Sequence, residues 1–288
     1  MRFIRLAFLS AYYVNFLVKS KPSLPAALVQ YAARELMTRA ESIKVSRQKV
    51  HEISTAPLPL SEWKLAYPNS LIEQTHVCNE AAHEMNWVQR LKKAMSASVS
   101  SRISWSELSA ADYAPSQTAL VFAPMVLDVS DDVLVTMAVM PKWFSADGVL
   151  LFATLANGSL PELVNAQPEW LDLFTHWHNI MDVGARLQAL SFGLPVLDVE
   201  TLTLSYSEFD TLWQDLVAFL PALQSKSDEE TQVWWDKAHG LFNQGLRHIS
   251  LEVLYGQVWQ PNVKAAKTEH TVSLESLADQ LTKRNYPS

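Results

Sequence analysis

Glycine is scarce in this chain, and its distribution is uneven. The 288 residues include seven glycines, and none stands before Gly148. Average usage of roughly 7% would place about ten in that first half. The first half therefore has no position free of a Cβ and none that takes positive φ without strain. That excludes an ordinary glycine-rich cofactor turn anywhere in it. Cysteine is nearly absent too: the lone Cys78 excludes an intrachain disulfide and a cysteine-based zinc site, and fits a reduced, cytoplasmic setting. Charged residues make up only 18%, and the formal net charge is −7. With no long basic run, a broad nucleic-acid surface is excluded.

Long hydrophobic runs are also missing. The best one, residues 6–18, is interrupted by Ser10 and Asn15 and flanked by Arg2, Arg5 and Lys19. It is too short to span a bilayer, so no transmembrane segment is expected. Leu6, Leu9, Tyr13, Phe16 and Leu17 share a helical face, which reads as a docking helix. A secretory signal or membrane-surface segment is the other reading, although no small-x-small cleavage site follows.

What is present is a large apolar fraction, 49% of the chain, enough for a sizeable core. After Pro22 and Pro25 a helix is expected over 25–42, with Leu28, Val29, Ala32, Leu36 and Met37 inward. Strands are expected at 49–54, 70–77, 102–108, 118–127, 149–155, 196–206 and 251–259. Helices are expected at 79–95, 130–140, 161–170, 180–192, 208–219 and 227–245, with a short one at 273–283. Strands alternating with helices indicate an α/β fold with a largely parallel sheet. The two late strands suggest an antiparallel hairpin at a sheet edge.

The stretch KVHEISTAPLPLSEW, residues 49–63, opens like the first strand of a nucleotide-binding domain, but no glycine turn follows. The C-terminal half gives it a context. GVLLFATLANGSLPEL, HNIMDVGARLQALSFGLPVLDVETLTLSY and LEVLYGQVWQP resemble the biotin-synthesis malonyl-carrier-protein O-methyltransferases. These are class I methyltransferases dependent on S-adenosylmethionine (SAM). Asp147-Gly148, Thr154-Leu155, Phe192-Gly193, Asp198, Glu200, Tyr255-Gly256 and Trp259 carry the resemblance. It covers residues 118–261 well, and 1–117 by strand order and spacing only.

The resemblance implies a Rossmann-like, seven-stranded, mostly parallel sheet with helices on both faces and an antiparallel last hairpin. It implies an N-terminal helical lid over 1–45, the α/β domain over 46–261 and a polar tail over 262–288. It implies SAM as cofactor and an acyl carrier protein, or another protein, as partner. Carried over residue by residue, Glu52 takes the acidic position of strand 1 and Glu107 the acid near the adenine. Tyr13 is what is left of the lid motif, without its acidic neighbour. The strand 2 acid is ambiguous between Thr75 and Glu73. Ser54, Ala56 and Leu58 fall where the family has glycines, and Pro57 and Pro59 remove two N–H donors. The plainer reading of Glu52 and Glu107 is carboxylates at strand ends without a ligand.

Other candidates are weaker. His176 and His178 could offer two imidazoles to a metal only on a strand, and no partner ligand stands nearby, so no metal is expected. Trp213, Phe219, Trp234 and Trp235 read as core before they read as a partner surface. Cys78 reads as packed. The expectation is a degenerate methyltransferase that lost ordinary SAM binding and serves as a binding or regulatory protein. The alternative is an active SAM-dependent O-methyltransferase with an atypical pocket.

Overall fold

The computed structural model describes residues 24–78, 98–108, 118–130, 133–174 and 179–260. Seven strands form one sheet in the order β3-β2-β1-β4-β5-β7-β6. They are β1 (Lys49–Ser54), β2 (Leu71–Cys78), β3 (Ser98–Ser104), β4 (Leu120–Pro124), β5 (Val149–Leu155), β6 (Gly193–Ser205) and β7 (His248–Trp259). The first five pair in parallel, and β7 lies antiparallel between β5 and β6. This is the methyltransferase strand order, with the reversed final hairpin that the resemblance implied.

The reason for the parallel core is visible in its burial. Every residue of β4 and β5 is buried, as strands covered on both faces must be. Successive residues of a strand point to opposite faces, which sorts the covering helices. Helix α1 (Ala26–Ala40) sends Arg39 to Asp198 and Glu200. A later helix, α6 (Ile180–Ala189), packs Gly184 against Leu197, which points the other way. The sheet is therefore covered on both sides.

Helix α1 lies on the face that carries Phe122, Glu52 and Tyr255. Val29, Ala32, Ala33 and Leu36 have no exposed surface. Its last carbonyls, Ala40 and Glu41, and that of Ile43 just beyond, accept from the Arg47 guanidinium at 2.9, 3.1 and 3.2 Å. A cationic side chain thus does what a glycine C-cap does elsewhere. Helix α2 (Leu60–Ala66) lies on the same face and is tied to α1 by the Arg34–Glu62 pair at 2.8 Å.

The remaining helices are α3 (Trp105–Leu108), α4 (Val133–Val139), α5 (Pro161–Ala166), α7 (Phe209–Phe219), α8 (Pro221–Gln224) and α9 (Asp228–Asn243). Helix α9 opens with a capping box of Ser227 and Glu230. Trp213, Phe219 and Trp234 are buried and Trp235 is half-buried, packed edge-on against Phe209. One glycine has a clear steric reason: a Cβ on Gly256 would overlap the Phe152 ring, which lies opposite it across β5 and β7.

Several boundaries differ from expectation. Strand β3 ends at Ser104, so residues 105–108 are a helical turn rather than strand. The helix expected over 161–170 ends at Ala166, and Pro168 starts a separate 3-10 turn. Helix α2 was not expected at all. The expected helices at 79–95 and 273–283, and the apolar segment at 6–18, lie outside the described residues.

Candidate functional site

In open α/β sheets ligands bind beyond the carboxyl ends of the strands, where the strand order reverses. Here that point lies between β1 and β4. On the β1 side the chain leaves Ser54 through Thr55, Ala56, Pro57, Leu58 and Pro59 into α2. Leu58 is 2% exposed and Trp63, on α2, has no exposed surface. The Trp63 ring packs on Phe122 with centroids 4.9 Å apart.

Glu52 sits beneath this loop with no exposed surface. Its carboxylate accepts from the Leu58 N–H at 3.0 and 3.2 Å, from the Trp63 indole at 2.7 Å and from the Gln74 amide at 2.8 Å. The same Gln74 amide donates to the Leu58 carbonyl at 2.7 Å. Burial pushes Glu52 up to about 7, against three sets of donors that favour the charged form. Glu52 is thus at the expected strand end, but its oxygens serve the chain's own loop.

Glu107 lies near the end of β3 and closes a capping box. It accepts from the Ser104 N–H at 2.6 Å and the Ser104 hydroxyl at 2.9 Å, and its own N–H donates to that hydroxyl at 3.2 Å. The Ser-x-x-Glu spacing is legible in the sequence as a helix start. Reading 102–108 as strand obscured it. Tyr13, His176 and His178 lie outside the described residues.

Both candidate strand 2 positions are engaged by neighbouring strands. Glu73 pairs with Lys49 at 2.9 Å. Thr75 bonds His51 at 2.8 Å and Ser101 at 3.0 Å. His51 is enclosed, and desolvation lowers it to about 4. Cys78 is half-buried, with its thiol 3.5 Å from the Ile103 carbonyl.

On the β4 side one residue escaped the sequence reading. After Pro124 the chain turns through Met125 in the left-handed region, φ 53°, with Met125 fully buried. This brings Asp128 back onto the end of β5. Its Oδ1 accepts from the Leu155 N–H at 2.7 Å and the Thr154 hydroxyl at 3.1 Å. Its Oδ2 is shut off from solvent and, among the described residues, has no hydrogen-bond partner. Burial raises this carboxyl to about 7. The only signal for it in the sequence is an acid directly after a ten-residue apolar run.

Two shallow cavities lie elsewhere. One of about 260 Å³ is lined by Leu204, Tyr206, Thr211 and Asp215 among others, and one of about 270 Å³ by Arg34, Arg47 and Tyr67 among others. Neither is lined by the β1 loop. Among the described residues no group of three His, Cys, Asp or Glu side chains is placed to hold a metal, and no helix is long and apolar enough to cross a membrane.

No family model matches the chain. Among curated proteins, the malonyl-(acyl-carrier protein) O-methyltransferase of Laribacter hongkongensis is 33% identical over 125 residues, 40% of this chain and 42% of that protein. The corresponding enzyme of Gallionella capsiferriformans is 27% identical over 154 residues, 49% of this chain and 52% of that protein. The chain is a relative of the malonyl-carrier-protein O-methyltransferases. The matches span about half the length of these two relatives. A third, malonyl-(acyl-carrier protein) O-methyltransferase 1 of Coxiella burnetii, is 25% identical and matches 65% of this chain and 69% of its own length. Among solved structures, the YcgJ protein from Bacillus subtilis overlaps 80% of this chain at 14% identity with a TM-score of 0.47. The assignment to the methyltransferase fold rests on the strand order described above.

Proposed function

We propose that this methyltransferase-like protein no longer binds SAM in the ordinary way and works as a non-catalytic binding or regulatory protein. One observation carries the reading. Leu58, in the loop that follows β1, is buried in the core, and the Glu52 carboxylate is engaged by Leu58, Trp63 and Gln74. A SAM loop needs close backbone approach, which glycine permits and the Pro-Leu-Pro sequence does not. On this reading Glu52, Glu107 and Tyr13 are positions left over from a cofactor site. Residues 1–45 would be the former lid and 262–288 a tail. The partner class is an acyl carrier protein or another protein, in the cytoplasm.

The second reading is an active SAM-dependent O-methyltransferase acting on a malonyl thioester or similar acyl group. It is favoured by the relatives' shared name and by the partnerless Oδ2 of Asp128 at the β4 end. Calorimetric titration of SAM and S-adenosylhomocysteine into the full chain separates the two. Saturable micromolar binding refutes the non-catalytic reading, and no binding at millimolar ligand refutes the catalytic one.

A further inference from the structure

The carboxyl end of β6 carries a polar cluster that neither reading uses. β6 runs parallel to β5, so its end lies on the same rim of the sheet as the β1 loop. β4, β5 and β7 separate the two. From Ser205 the chain passes through Tyr206 and Ser207 toward α7, around the cavity of about 260 Å³. Leu204 and Tyr206 bring apolar surface to it, and Ser205, Ser207, Thr211 and Asp215 bring oxygens. The Tyr206 hydroxyl donates to Asp215 Oδ2 at 2.7 Å, and the Ser205 hydroxyl is bonded to His248 Nδ1 at 2.9 Å. Among the described residues, the Ser207 and Thr211 hydroxyls have no hydrogen-bond partner, and Asp215 has no ion pair. Burial raises the Asp215 carboxyl above its usual range, and the Tyr206 hydrogen bond opposes this. Half-buried acids elsewhere sit beside cations: Glu73 by Lys49, Glu35 and Glu200 by Arg39. Around Asp215 the sequence supplies none. No lysine or arginine stands between Arg186 and Lys226, whereas Asp198, Glu200, Glu208, Asp210 and Asp215 do. The Arg247 carbonyl accepts from the Tyr206 N–H at 2.8 Å, but its guanidinium is turned to the Phe242 and Leu246 carbonyls.

We propose that this cavity binds a small primary amine in its protonated form, with Asp215 as the counter-ion. A half-buried carboxylate without a cation is unfavourable, and a bound cation relieves it. An ammonium group has three donors and no acceptor. The Asp215 carboxylate and the Ser207 and Thr211 hydroxyls are acceptors that match it, and Leu204 and Tyr206 suit a short alkyl stem. Tyr206 holds one oxygen of Asp215, so the carboxylate is oriented before a ligand arrives. A metal ion matches less well, because among the described residues no group of three His, Cys, Asp or Glu side chains is gathered. The volume suits a small molecule, below the usual size of a drug-binding cleft. The cavity is apart from the end of β1, so the proposal goes beyond both functional readings and depends on neither.

The test titrates n-butylamine into the full chain at about pH 8, where an alkylamine is protonated, and follows backbone amide shifts by nuclear magnetic resonance. The wild type is expected to saturate in the millimolar range, with the amides of residues 205–215 shifting together. Asp215→Asn is expected to weaken binding about tenfold or more, through loss of the charge-assisted contact. Asp210→Asn makes the same charge change at an exposed position outside the cavity lining, and should bind like the wild type. No saturation in the wild type, or shifts confined to other segments, overturns the proposal. So does equal weakening by the two variants. Equal affinity for tetramethylammonium, which has the charge but no N–H donor, overturns it as well. Saturation by glycerol and not by butylamine would assign the cavity to a polyol and overturn the amine. Should Asp215→Asn not fold, the wild-type shift map and the tetramethylammonium comparison decide by themselves.

Discussion

Replacing Trp63 by Phe should destabilise the protein by an amount that depends on pH. The indole N–H donates to Glu52 at 2.7 Å, and both residues lack exposed surface. Phe keeps most of the packing on Phe122 and Tyr67 but removes the donor. A hydrogen bond to a neutral acceptor contributes about 0.5–1.5 kcal/mol, and one to a charged acceptor about 1.5–3 kcal/mol. Glu52 is raised to about 7 by burial. Its protonated form is therefore favoured in the folded protein, and the stability this brings is complete below the unfolded value of about 4.3 and lost as pH rises through 7. Removing the indole raises the folded value further, by about one unit, so the loss continues to higher pH. The destabilisation by Trp63→Phe should thus be larger at about pH 8.5 than at about pH 5.5, by about 1 kcal/mol. Urea unfolding followed by circular dichroism at the two pH values measures it, and packing losses cancel in the difference. An equal effect at both would show that the indole is not bonded to a titrating carboxyl.

Other expectations follow from the same structure. Asp128, raised to about 7 by burial, should also make the wild type less stable between about pH 5 and about pH 8. Asp128→Asn should reduce that slope by about 2 kcal/mol in denaturant unfolding across the range. Gly256→Ala places a Cβ inside the Phe152 ring, so overpacking should destabilise by about 1–3 kcal/mol, read as a lowered melting temperature. Glu107→Ala should lose about 1 kcal/mol with the capping box, while Glu107→Gln retains most of it, because glutamine closes the same box.

Strands were legible where apolar runs are bounded by turn residues. The limits expected for β1 and β5 match the structure, because Lys49 and Gly148 mark their starts. The β3 region was not, because RISWSEL alternates well enough to read as strand while Ser104 and Glu107 together start a helix. Helix α2 was hidden by its brevity and by the prolines before it. Glu52 could be placed from its strand position, but its partners could not: Gln74 and Trp63 come from separate elements that only the sheet register and the α2 packing bring together. Asp128 needed the left-handed turn at Met125, which no residue type in that stretch announces.

The described residues before Met125 contain no positive φ at all, so the β1 loop is a right-handed path that glycine would loosen rather than relieve. Leu58 is wedged into the core there. Replacing it by glycine removes a buried side chain, which costs a few kcal/mol by itself, and adds backbone freedom to the unfolded chain. No single exchange opens a glycine-lined approach, because Pro57 and Pro59 fix the path on both sides. Each exchange toward glycine would therefore lower stability by itself. The loop and the core beneath it are thus one unit: the end of β1 opens only if the buried packing around Leu58 is given up as well.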